Sequence, residues 1–189
     1  MSDETKTRNP RDVKGEAEVG GTTICCRVPS RNEYDAYLWS LKKRGSLIAS
    51  KELILATAEK PSGEELEVLF DKLPALPVAF ADELENLAGG DVECESTMDT
   101  ITATFGSGKD KEVFEFSAPS QPDHDAVVNA SKSPKEKPGV FMRTFLNRCY
   151  AGDASLDDLF DRSPACIGAI TVELRQIAGA SFEFKVKKG

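Results

Sequence analysis

The residues best suited to nucleophilic, redox or metal chemistry are one histidine, His124, and five cysteines, Cys25, Cys26, Cys94, Cys149 and Cys166. A zinc site needs four converging ligands, usually paired at short spacing, and one histidine with no C-x-x-C does not supply them. No G-x-S-x-G, G-x-x-x-x-G-K-[ST] or H-E-x-x-H occurs, so neither a nucleophile elbow, a phosphate loop nor a metalloprotease helix is expected. The stretch "FGSGKD", Phe105–Asp110, has the glycines and lysine of a phosphate loop but not their spacing. It lies between two strand-like runs and reads as a hairpin turn. The acidic stretch "SGEELEVLFD", Ser62–Asp71, spreads its carboxylates around a helix instead of opposing two of them, so paired acid–base work is not supported. The chemistry points away from an enzyme, with no cofactor and no metal.

What separates one cysteine from another is an internal echo. "LFDKLPALPVAFADELENLAG" at Leu69–Gly89 is followed 90 residues later by "LFDRSPACIGAITVELRQIAG" at Leu159–Gly179. Across Lys60–Glu95 against Tyr150–Lys185, 12 of 36 pairs are identical, where chance would give about two at ordinary composition. Substitutions such as Glu67/Asp157, Lys72/Arg162 and Leu87/Ile177 keep the chemistry. The register extends upstream to Pro29-Ser30 against Pro119-Ser120 and Asp35-Ala36 against Asp125-Ala126. This reads as a tandem duplication, an N-terminal tail over 1–15 preceding units at 16–97 and 98–187.

Each unit then predicts the same elements. "TTICCRV" (Thr22–Val28) and "EVFEFSA" (Glu112–Ala118) are β-favouring runs that stop at Pro-Ser, where the serine can cap a helix. "EAEV-GG-TTICCRV" and "TITATF-GSGKDK-EVFEF" read as hairpins, the first on a tight Gly20-Gly21 turn. A helix is expected from Arg31 to about Lys43, a second over "LIASKELILATAEK", and its counterpart places Phe141, Met142, Phe145, Leu146 and Cys149 on one stripe. Ser62 with Glu65 forms a capping box before "LEVLF", and Asp153 is expected to cap "LDDLF". A last helix should bury Leu76, Phe80, Leu84 and Leu87, matched by Cys166, Ile170, Leu174 and Ile177, and end on Gly89 or Gly179. "DVECEST" and "SFEFKVK" would close each unit as strands. The expected fold is α+β: two similar subdomains, each a β-hairpin, three to four helices and a closing strand.

The duplicate positions sort the chemistry. Cys26, Cys94 and Cys166 stand opposite Phe116, Phe184 and Leu76 and read as small core hydrophobes, as does Cys149 on its apolar stripe. Cys25 stands opposite Glu115 and alternates with Cys26, which places it on the outer face of the sheet as a candidate exposed, reactive thiol. His124 replaces Tyr34 and reads as an ordinary helix residue. Divergence concentrates where "EYDAYLWSLKKRGSLIAS" faces "DHDAVVNASKSPKEKPGV"; Pro134, Pro138 and Gly139 should end the helix early. Tyr34, Tyr37 and Trp39 exist only in the first unit. Aromatics at helical spacing usually pack into a core; the alternative is a partner-binding face kept by one unit.

With 40% apolar and 30% charged residues, the 189-residue chain is composed like a globular protein. Its net charge of −8 argues against gripping nucleic acid, which needs clustered Lys and Arg. No run of about 18 apolar residues is present to span a membrane, and "MSDETKTRNPRDVKGEAEV" has no apolar segment of a secretory signal. Five cysteines in no spaced framework suit a reducing compartment.

In the first unit, a short strand leads into "RVPSRNEYDAYLWSLKK" and then "ASKELILATAEKPSGEELEVLFDKLPALPVAFADELENLAG". This order resembles the small tail-assembly-chaperone-type proteins of tailed bacteriophages, over Thr22–Gly89 and more faintly over Val113–Gly179. The resemblance implies a non-enzymatic protein of the host cytoplasm that holds another phage tail protein, such as the tape measure, during assembly. The doubled unit admits a second expectation: a structural component of the virion, in its head, neck or tail, whose two modules contact repeated neighbours.

Overall fold

The computed structural model describes residues 14–90, 92–106 and 111–180. The chain begins with a hairpin of β1 (Lys14–Val19) and β2 (Thr22–Arg27), then α1 (Arg31–Arg44), α2 (Ser46–Thr57), β3 (Ala58–Lys60), α3 (Gly63–Lys72) and α4 (Leu76–Glu85). It continues with β4 (Glu93–Ser96), β5 (Thr100–Phe105), β6 (Glu112–Ser117), α5 (Gln121–Lys132), α6 (Pro138–Cys149), α7 (Asp157–Arg162) and α8 (Cys166–Arg175). The fold is α+β with two three-stranded antiparallel sheets, ordered β1-β2-β3 and β4-β5-β6. Elements recur 90 residues apart: β2 with β6, the starts of α1 and α5, and α4 with α8.

Local signals account for most of these boundaries. Val19 pairs with Thr22 across Gly20-Gly21, whose φ values of 60° and 81° are those of a two-residue primed turn. Ser30 and Glu33 form a reciprocal capping box at α1, and Ser62 and Glu65 at α3. Ser120 accepts from the Asp123 amide at α5. α4 and α8 each end in a wide turn with a left-handed glycine, Gly89 at φ 90° and Gly179 at φ 88°. A Cβ on Gly89 would also lie 2.6 Å from Ser163 Cβ, so glycine is required there on two counts. α5 ends at Lys132, as the prolines downstream demand.

Three expectations are corrected. The end of the predicted second helix is a strand: Ala58–Lys60 pairs with Cys25 and Cys26 of β2. Lys60 precedes a proline, which disfavours helical backbone. Asp153 does not cap α7, which begins at Asp157 with Leu156 at its cap and no side-chain cap bond; Leu156 is buried there instead. The strand "DVECEST" forms as β4 but pairs with β5, in the register Glu93↔Thr104 to Ser96↔Ile101. Only Thr97–Asp99 join the two strands, and so short a link dictates a hairpin. The Thr97 hydroxyl accepts from the Thr100 amide at 3.0 Å and fastens that turn. The predicted strand "SFEFKVK" and most of the turn after β5 lie outside the described residues. Of the expected tail over 1–15, residues 14 and 15 belong to β1 and the others lie outside the described residues.

By packing, the described residues fall into two units whose limits cross the sequence repeat. Unit 1 holds residues 14–90, 137–139 and 156–166; unit 2 holds 92–106, 111–136, 140–155 and 167–180. In unit 1 Ile24, Leu53, Ile54, Leu66, Phe70 and Leu84 are nearly inaccessible, joined by Leu156 and Phe160 flanking α7 and within it. Arg31 of α1 bonds Asp157 at 3.1 Å and Asp161 at 3.2 Å. The Ala165 amide donates to Ala88 O at 3.1 Å. In unit 2 Ile101, Phe116, Phe145, Leu146, Ile170 and Leu174 form the core, with Tyr150 against Phe116 at 5.6 Å between ring centroids. Each such side chain contributes about 1.5–3 kcal/mol by leaving water.

Candidate binding site

The space between the first two helices of each unit is where the chain differs most between its halves. In unit 1 the Ser30 box sets the start of α1, and Glu33 also binds Arg27 at 2.8 Å. The Arg27 guanidinium, helped by the Ser30 amide and hydroxyl, holds the Glu33 carboxyl down to about 2. One turn further, Tyr34 and Tyr37 point inward at 3% and 5% exposure, ring centroids 5.7 Å apart. Tyr34 Oη donates to Glu85 Oε1 of α4 at 3.0 Å. Tyr37 faces the same carboxylate and Ser50 of α2. Burial raises both phenols, and it raises the Glu85 carboxyl against the opposing pull of the two phenol donors. Two aromatic rings and one shared carboxylate thus fill the gap among α1, α2 and α4.

This overturns Tyr34 and Tyr37 as a partner-binding face. Inward-facing positions on an amphipathic helix are core positions, and the Tyr34 phenol is satisfied there by Glu85. Trp39 is separate from them: it is half-buried, with Lys43 Nζ 4.8 Å from its ring centroid.

Cys25 is also corrected. It is 8% exposed, not an open thiol, because β2 is the central strand of its sheet. Glu16 lies opposite on β1 and Lys60 on β3, and a bulge between the Cys25 and Cys26 pairs brings Glu59 Oε2 to 3.9 Å from Cys25 Sγ. Burial, followed by the Glu16 contact, raises the Cys25 thiol, which disfavours the thiolate that reactivity requires. Cys26, on the other face, is fully buried and pushed up to about 11 by burial. His124 on α5 sits 3.8 Å from Asp125.

In unit 2 the same inter-helix space is open. Val127 stands at the α5 position of Tyr37, His124 at that of Tyr34, and Val140 of α6 at that of Ser50. A pocket of about 240 Å³ lies between α5 and α6. Val127 and Phe145 are buried within it, Phe141 is half-buried, and Val140 is 47% exposed at its edge. Asp123 and Arg148, paired at 3.2 Å, also line it. The Ser120 hydroxyl and then Arg148 hold the Asp123 carboxyl below the usual range. Sequence reasoning placed Phe141 and Phe145 on an apolar stripe but missed the cavity. The replacement of Tyr37 by Val127 was its available signal.

Another feature belongs to α2. Its inner face buries Ala49, Ser50, Leu53, Ile54 and Thr57, while Leu47, Ile48 and Leu55 on the outside are 44%, 43% and 37% exposed. Among the described residues no group of three or more His, Cys, Asp or Glu is placed to hold a metal ion, and no helix is long and apolar enough to cross a membrane. Comparison with protein-family models, curated proteins and solved structures returns no match.

Proposed function

We propose that this chain acts through protein–protein contacts, without catalysis, as a tail-assembly-chaperone-like bacteriophage protein working in the host cytoplasm. The observation that carries the reading is α2. The outer side of a surface helix is usually polar, yet α2 presents Leu47, Ile48 and Leu55 outward, Ile48 and Leu55 lying two turns apart along one side. Exposed apolar side chains on one helix, here set beside Lys51 and Glu52, are the kind of surface that other proteins bind. The sequence resemblance to tail-assembly chaperones supplies the class of client, another phage tail protein. The acidic net charge gives no support to a nucleic-acid partner.

A second reading, a permanent virion component, is favoured by the sequence repeat, for which we propose a tandem duplication. Two similar modules in one chain suit two similar neighbours and gain from effective concentration. Mass spectrometry of purified particles and of soluble infected-cell lysate separates the two. Presence only in lysate, in a complex with a tail protein that Leu47→Glu and Leu55→Glu dissolve, is the outcome expected of the chaperone. Stoichiometric presence in particles selects the virion component. A complex with no phage structural protein in either fraction overturns both.

A further inference from the structure

We infer that the α5–α6 pocket of unit 2 is a receptor for a tyrosine side chain presented by a partner polypeptide. The class of ligand comes from the chain's own other half. Between α1 and α2 the corresponding place is held by the buried Tyr37, whose phenol faces Glu85 and Ser50. Between α5 and α6, Val127 and Val140 take those positions and line about 240 Å³ of open space, while His124, at the position of Tyr34, lies outside that lining. An apolar cavity of roughly 150 Å³ already holds a benzene ring, so the volume admits a phenol. Val127, Phe141 and Phe145 offer the ring an apolar bed, and aromatic pairs add to area burial alone. Asp123 and Arg148 supply an acceptor and a donor for the hydroxyl, as Glu85 supplies an acceptor to a phenol in unit 1. A polypeptide, not a free phenol, is the source that follows from the protein–protein reading above, and this clause alone rests on it.

The test is a methyl-resolved NMR titration of the full chain with p-cresol, p-xylene, N-acetyl-tyrosinamide and N-acetyl-alaninamide. Saturable shifts confined to the methyls of Ala126, Val127 and Val140 are expected with p-cresol and with N-acetyl-tyrosinamide. N-acetyl-alaninamide should produce none. Xylene should bind about tenfold more weakly, the worth of one hydrogen bond. Val127→Tyr, which refills the pocket as unit 1 does, should abolish the shifts while leaving other methyl signals in place. Val140→Trp closes the pocket from its exposed edge and gives the same readout should the first variant fold poorly. Absence of shifts up to the solubility limit, or shifts that persist equally in both filled variants, overturns the site. Binding of p-cresol without N-acetyl-tyrosinamide keeps the ring site but overturns the polypeptide source. None of these outcomes bears on the outer face of α2, so failure here and failure of the proposed function remain distinct.

Discussion

The α1–α2 gap and the α5–α6 gap begin alike, from a Pro-Ser step and a serine-capped helix, and end as opposites. One is filled with two phenols that face a half-buried carboxylate; the other is an open apolar pocket beside an ion pair. The difference turns on few positions. Replacing Tyr37 by Val removes a ring, replacing Tyr34 by His removes a phenol, and replacing Glu85 by Arg175 removes the acceptor both phenols need. Two helix pairs that start from like capping sequences thus carry a packed core in one place and an open pocket in the other.

The strongest way to break the comparison is to empty the filled side. Tyr34→Ala should destabilise the chain by about 3–5 kcal/mol, the range for deleting a large buried aromatic side chain. It also leaves Glu85 without one of its donors. Chemical denaturation at neutral pH measures this. A loss below about 1 kcal/mol would mean that the gap collapses on its own and that unit 1 differs little from unit 2.

A second effect separates the two helix starts by pH. Glu33 is held down to about 2 by Arg27 and Ser30. A depressed carboxyl adds stability that is complete above its unfolded value near 4.5 and is lost as pH falls toward about 2. Glu33→Gln should therefore cost about 1–3 kcal/mol at pH 7, typical of hydrogen bonds to a charged group, and almost nothing at pH 2. Asp123→Asn at the corresponding place should show the same sign and a smaller amplitude, because that pair is more open to solvent. Glu85 works in the opposite sense: its carboxyl is raised, so its contribution is largest below 4.5 and declines as pH rises through the folded value. Urea midpoints from pH 2 to 7 resolve the three.

What was legible in the sequence was local. Ser30 with Glu33, Ser62 with Glu65, Gly20-Gly21 and Gly89 each act within a few residues, so their geometry can be read from spacing alone. What failed depended on partners distant in the chain. β3 exists because Ala58–Lys60 reach back to Cys25 and Cys26, and a helix period running to Thr57 gives no warning of it. Alternation along β2 separates Cys25 from Cys26, but the exposure of Cys25 depends on what β1 and Glu59 place beside it. Likewise Tyr34 and Tyr37 needed Glu85, some fifty positions on, to become satisfied core residues. The pocket was hardest of all, since it consists of side chains that are absent.

Refilling that pocket sharpens the comparison from the other side. Val127→Tyr should stabilise the chain by about 0.5–2 kcal/mol, as cavity-filling changes commonly do, with the gain read as a higher urea midpoint at unchanged slope. A destabilised protein would mean that the walls from α5 and α6 cannot accept a ring, and the likeness between the two gaps would end at the backbone.

The smallest effect expected is that of Arg148→Ala. Arg148 is 54% exposed and Asp123 25%, and they meet at 3.2 Å. A pair so open to water is worth about 0–1 kcal/mol, because screening and lost side-chain freedom offset most of its attraction. The Ser120 hydroxyl, first among the influences on Asp123, also remains when Arg148 is gone, so the start of α5 should hold. Stability should thus barely move, whereas the affinity for a phenol, whose hydroxyl would lose its donor, should fall while that for p-xylene stays the same. Equal changes for the two rings would assign Arg148 to the shape of the pocket alone and leave unit 2 without any counterpart to the Tyr34–Glu85 hydrogen bond of unit 1.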